Sequence, residues 1–143
     1  MREELQQQLF EKYPDLFARR SLPMNQTCMC WGIETGDGWY DLLDTLCEYI
    51  SVEVKYNKAP PVQFEQVKEK FGGLRVYTTG GNKEIQGAIS LASMISYKTC
   101  EDCGVPATVR TTGWIRNLCT SCHEKDLERM KRPSRYAGSD DEV

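Results

Sequence analysis

Four cysteines, Cys100, Cys103, Cys119 and Cys122, stand in the pattern C-x2-C-x15-C-x2-C. The spacing suits a four-thiolate zinc centre, because each C-x2-C pair can form a tight turn whose two sulfurs converge on one ion. Gly104 follows the first pair, where such a turn often needs a positive φ. Four thiolates close the coordination sphere, so the expectation is one structural Zn2+ per chain, with no catalysis at the metal. VPATVRTT and WIRNL lie between the pairs on either side of Gly113 and have strand composition, as a zinc ribbon requires. His123 adjoins Cys122 and competes as fourth ligand, but adjacent residues point differently, which favours Cys122. A ribbon this small buries too little core to fold alone, so the metal should supply much of its folding free energy.

Other groups offer weaker chemistry. Asp37, Asp41, Asp44 and Glu48 fall at steps of four, three and four, hence on one helix face, and Glu34 adds a fifth carboxylate nearby. Glu34, Asp37, Asp41 and Asp44 suit a divalent-ion site for nuclease or nucleotidase chemistry, yet no catalytic Lys or His accompanies them. An acidic stripe facing a basic partner fits better. With Trp31 as an aromatic anchor beside a Gly-rich loop, this gives Trp31, Glu34, Asp37, Asp41 and Asp44 as a partner-binding set. Trp39 belongs to the core. Towards the C-terminus, Arg110, Trp114, Arg116 and Arg129 form the alternative set, cations with a stacking surface for nucleic acid, diluted by five interleaved acids. Cys28, Cys30 and Cys47 read as buried thiols behaving as small hydrophobes. The chain holds no Gly-rich phosphate loop or nucleophile elbow.

The elements that must position these groups follow from periodicity. Residues 2–13 read as a helix with Leu5, Leu9 and Phe10 on one face, ended by Pro14. Residues 14–36 lack a period and read as a structured loop. Residues 37–55 give the clearest helix, with Asp37 as its expected N-cap and an apolar face from Trp39 to Val54. VQFEQVKEK and LRVYTT flank Phe71-Gly72-Gly73 as a β-hairpin, although Val67 breaks the alternation begun by Val62 and Phe64. Residues 83–96 return to helical spacing. The expected architecture is α+β: two main helices packed on a β-hairpin in a body over 1–97, a zinc ribbon with its following helix over 98–130, and a disordered tail over 131–143.

Composition agrees. The chain has 143 residues, 40% hydrophobic and 27% charged, with no apolar run long enough to span a bilayer. The amphipathic N-terminus lacks the apolar core of a signal peptide, so a cytoplasmic protein with reduced thiols is expected. Net charge is −3, spread unevenly: residues 1–96 carry 10 Lys/Arg against 13 Asp/Glu, and residues 97–136 carry 8 against 5. That asymmetry falls short of a dedicated nucleic-acid binder.

Three blocks, MCWGIETGDGWYDLLDTLC at 29–47, QVKEKFGGLRVYTTGG at 66–81 and CEDCGVPATVRTTGWIRNLCTSCH at 100–123, carry a family resemblance. Together, over about residues 10–125, the chain resembles small phage and prophage proteins that end in a zinc ribbon. The resemblance implies expression inside a bacterial host cell and transfers no catalytic residue. It favours a non-enzymatic zinc-ribbon protein that binds a host or phage protein complex, inhibition of a defence system being one such role. A nucleic-acid-binding transcriptional regulator and a metal-dependent nuclease or nucleotidase are the alternatives. Partner identity and oligomeric state are not legible in the residues.

Overall fold

A computed structural model of the chain describes residues 1–132, a mixed α+β fold with four α-helices and a small sheet. Helix α1 spans Glu3–Lys12 and buries Leu9, with the Tyr13 amide closing it on the Leu9 carbonyl. The loop after it adds apolar weight that no period announced: Leu16, Phe17 and Met29 are all buried. Phe17 packs edge-on to both Phe10 and Phe64, with centroids 5.0 Å apart in each pair. Further along, Ile33–Glu34 forms strand β1, too short to show in the sequence.

β1 pairs in parallel with β2 (Val62–Lys70), which pairs antiparallel with β3 (Gly73–Gly80), so β2 is central. The hairpin closes through Phe71 (φ 53°) and Gly72 (φ 80°), two left-handed residues whose twist matches that of the strands. A register shift between Phe64 and Gln66 explains the broken alternation. The extra residue, Glu65, lets Val62, Phe64 and Val67 all reach the core.

Helix α2 runs from Tyr40 to Tyr56, entered through a 3-10 turn at Asp37–Trp39. The expected Asp37 cap is therefore corrected: Trp39 holds the N-cap position, and the Asp37 carboxylate instead accepts the Arg2 amide at 2.8 Å. Leu43, Leu46, Cys47 and Ile50 form its buried face. Helix α3 spans Lys83–Ser96 and has a true cap, Asn82 Oδ1 accepting the Ile85 amide at 3.0 Å. It is pinned to β3 by Ser96, whose hydroxyl accepts the Leu74 amide at 2.8 Å. No helix among the described residues is long and apolar enough to cross a membrane.

Beyond α3 come two-residue strands, β4 (Val109–Arg110) and β5 (Asn117–Leu118), paired antiparallel, then helix α4 (Thr120–Lys131). The disordered tail expected from residue 131 needs correction at its start, since Lys131 ends α4. From residue 133 that expectation lies outside the described residues. Buried apolar side chains form two clusters, a large one in the body and a small one of Cys100, Leu118 and Cys122.

Candidate metal centre

The four cysteine sulfurs lie within 4.8 Å of one another, the only such group of potential ligands among the described residues. A tetrahedral ion with bonds of 2.3 Å to sulfur needs sulfurs about 3.8 Å apart. Cys103 Sγ and Cys119 Sγ stand at 3.7 Å. The donor set therefore suits a tetrahedral, thiophilic metal, the four sulfurs already converging to within about 1 Å of that spacing.

Local backbone chemistry produces this convergence. In the first pair, the Cys100 amide donates to Val105 O at 2.7 Å and the Gly104 amide donates to Cys100 O at 2.9 Å, folding the chain into a knuckle. Gly104 takes φ 86°, as its position after the pair suggested. In the second pair, Cys119 is the N-cap of α4, and its sulfur accepts the Cys122 amide at 3.4 Å. That bond, from an otherwise unpartnered helix amide, leads the causes that lower the Cys119 thiol to about 7. Burial pushes Cys122 up in the absence of metal, so loading the site must release protons. His123 is not in the cluster; its Nδ1 is buried without a hydrogen-bond partner among the described residues.

The knuckle does not stand apart from the body. The Gly38 amide donates to Glu101 O at 2.7 Å, and the Gly36 amide donates to the Glu101 carboxylate at 2.8 Å. The Trp39 indole N–H donates to Thr99 O at 3.1 Å. Glu101 is buried; burial raises its pKa, while the Gly36 amide and Arg116 oppose that rise. Gly38 lies so close that a Cβ there would reach 2.5 Å from Gly104 N and 2.7 Å from Cys103 N, and closer still to Cys100 O. On the other side, buried Asn117 donates to Gly72 O at 2.9 Å, tying β5 to the hairpin turn. Residues 36–39, read from the sequence as a partner loop and a helix start, are the seat of the first cysteine knuckle. Two glycines flanking Asp37 ahead of a tryptophan were the visible signal of that close approach.

The remaining candidates are scattered by the fold. Asp44 turns towards α1, where Lys12 Nζ and Tyr13 Oη each approach its Oδ1 at 2.8 Å. Burial opposes ionisation of Asp44, but those two bonds prevail and hold its carboxyl below the usual range. Lys12 also explains how α2 tolerates its acids. Asp37 is paired to Arg2 at 3.8 Å, whereas Glu34, Asp41 and Glu48 are exposed. Trp31 is 62% exposed, and Trp39 is buried as expected.

In the basic set, Arg116 bridges Asp102 at 2.5 Å and Asp126 at 3.4 Å, and Arg129 meets Asp126 at 2.8 Å. These pairs brace the first knuckle against α4 and occupy both guanidiniums. Arg110 lies over the Tyr97 ring, and Trp114 is 77% exposed. Cys47 is buried, Cys30 half-buried and hydrogen-bonded to Thr27 O, and Cys28 exposed, which corrects the expectation for that thiol.

Protein-family models, curated proteins and solved structures contain no match to the chain.

Proposed function

We propose that this chain is a zinc-stapled, non-enzymatic binding protein whose ligand is another protein. Cys100, Cys103, Cys119 and Cys122 would hold one Zn2+, which suits four converging thiolates. With all four positions taken by sulfur, the ion has a structural role: it locks the ribbon and, through Glu101 and Gly38, the loop before α2. The observation that carries a binding role is apolar surface on that braced scaffold. Leu91 and Met94 project from the C-terminal half of α3 at 58% and 67% exposure, far more than a helix packed on a core leaves open by need. Trp31 adds a second exposed anchor. The resemblance to small phage proteins directs the search to host or phage complexes, bacterial defence assemblies among them.

The experiment has two arms. Metal analysis of the purified chain should return about one zinc per chain. A tagged chain in host extract should retain a protein in fixed stoichiometry, and the complex should re-form from the two purified components. A chain that retains nothing and stays alone in solution would refute the binding role.

A nucleic-acid role has one observation in its favour: exposed Trp114 stands over a cleft shared with Arg110 and His123, whose Nδ1 has no hydrogen-bond partner among the described residues. It ranks second because Arg116 and Arg129 are spent on Asp102 and Asp126. It requires single-strand binding that weakens steeply with salt and with Trp114→Ala. The hydrolase alternative loses support, since Asp37 and Asp44 are paired and face different neighbours.

A further inference from the structure

An apolar cleft of about 340 Å3 runs along the seam of α2 and α3. Leu42, Thr45 and Tyr49 line one wall, Ala88, Leu91 and Ile95 the other. Met94 extends the surface at the α3 side and Val52 at the α2 side, both exposed. Among the described residues nothing covers it.

We propose that this cleft receives a basic amphipathic helix of a partner protein. The floor consists of side chains on two helices whose mid-helix backbone groups are satisfied internally, so an extended peptide would find no ladder to join. A partner here must satisfy its own backbone, which a helix does. The lining from Gly87 to Ile95 spans about 12 Å of helix rise. That matches apolar anchors at i, i+3, i+4 and i+7 of an incoming helix, about 10 Å.

Charge selects the sign of its polar face. Asp41 and Glu48 are exposed and, among the described residues, neither takes part in an ion pair, whereas Asp37 and Asp44 are both paired within the chain. Asp41 is four residues before Thr45 and Glu48 three after it, so both carboxylates lie beside the Thr45 wall of the cleft. Glu53, further along, is engaged by Asn57. Lys83 opens α3 and Lys98 lies two residues past its end, both away from the middle of the seam. On α2, Lys55 follows Glu48 by seven residues on the same face but sits over the Tyr56 ring beyond the cleft, and Lys12 is bound by Asp44. The rim beside the apolar floor is therefore acidic. A second copy of this chain on the same face would bring identical acidic rims together across a two-fold axis, which disfavours self-association there.

This rests on the protein-binding role proposed above and names its surface and partner chemistry. The test uses the zinc-loaded chain and two matched sets of 16-residue helix-forming peptides. Both sets share apolar anchors at i, i+3, i+4 and i+7; one carries Lys and the other Glu on the polar face. Fluorescence anisotropy should show the Lys set binding more than tenfold tighter than the Glu set, with amide-exchange protection confined to α2 and α3. Leu91→Glu should weaken the Lys set at least tenfold, and Asp41→Lys with Glu48→Lys should reverse the preference. Leu91 is exposed, so these variants should fold, and circular dichroism checks it. Equal binding of both sets, no binding by either, protection elsewhere, or a wild-type dimer that buries this face would overturn the proposal. A purified natural partner that still binds the Leu91→Glu chain would also overturn it while leaving the protein-binding role intact.

Discussion

Replacing Gly38 by alanine tests the seam between body and thiolate cluster. Gly38 is not among the residues at positive φ, so contact alone sets the cost. The new Cβ would meet Cys100 O, Gly104 N and Cys103 N, all backbone atoms of the first cysteine turn, so no side chain can swing aside. The knuckle must retreat, which breaks the Gly38–Glu101, Gly36–Glu101 and Trp39–Thr99 hydrogen bonds. Two neutral bonds at about 1 kcal/mol each and one to a carboxylate at about 2 kcal/mol give about 4 kcal/mol. For a chain of this length that lowers Tm by about 10–15 °C.

Thermal unfolding of zinc-loaded protein at fixed protein and metal concentration reads it. The control is Gly87→Ala, an exposed helical position with nothing within 4 Å of the new methyl; it should raise stability by about 0.5–1 kcal/mol. If the metal-free knuckle is already undocked, the same 4 kcal/mol weakens zinc retention against a chelator by up to about a thousandfold. A Gly38→Ala chain melting within about 2 °C of wild type, with unchanged zinc retention, would refute the coupling.

Cys100→Ser and Cys119→Ser should each abolish stoichiometric zinc, and the Trp39 near-ultraviolet signal should change with them because its indole bonds to Thr99 O; an unaltered signal argues against docking of the knuckle on the body. Asp44→Asn should cost about 1 kcal/mol at pH 7. The wild-type carboxyl titrates below its unfolded value, so its contribution is present above about pH 4 and fades as pH falls through the lower, folded value. The two acid-unfolding curves should converge at low pH, and parallel curves throughout would contradict the assigned bonds. Asn82→Ala removes the α3 cap and should cost about 1 kcal/mol in denaturant titration, with an unchanged midpoint counting against it.

Features governed by local chemistry were legible in the residues. Period picked out α1, α2 and α3, cysteine spacing picked out the cluster, and turn residues picked out the hairpin. Features governed by distant contact were not. β1 is two residues long and exists because Ile33 pairs with Val67. Phe17 is core because Phe10 and Phe64 meet it, which its own neighbours in sequence do not signal. Asp41, Asp44 and Glu48 were correctly grouped on α2, whereas Asp37 lies in the 3-10 turn before it. Only the tertiary fold delivers Lys12 and Tyr13 to Asp44 and leaves Asp41 and Glu48 without an ion pair among the described residues. Likewise Arg116 and Arg129 looked available for phosphate until Asp102 and Asp126 came within reach.

The docked knuckle also imposes an order in time on the growing chain. Gly36, Gly38 and Trp39 each donate to a residue between 99 and 101, at least 60 positions downstream. At about 5–20 residues per second, those donors wait about 3–12 s for their acceptors to be synthesised. During that interval the hairpin and α3 can form from local segments, while the entrance to α2 stays unsealed. Completion then depends on Cys119 and Cys122 emerging and, under the proposed metal role, on the ion being at hand. With zinc in the cluster as proposed, a cell short of it would accumulate chains whose N-terminal half is made and folded but whose Trp39 side remains open, and such chains are the ones that chaperones and proteases should meet first.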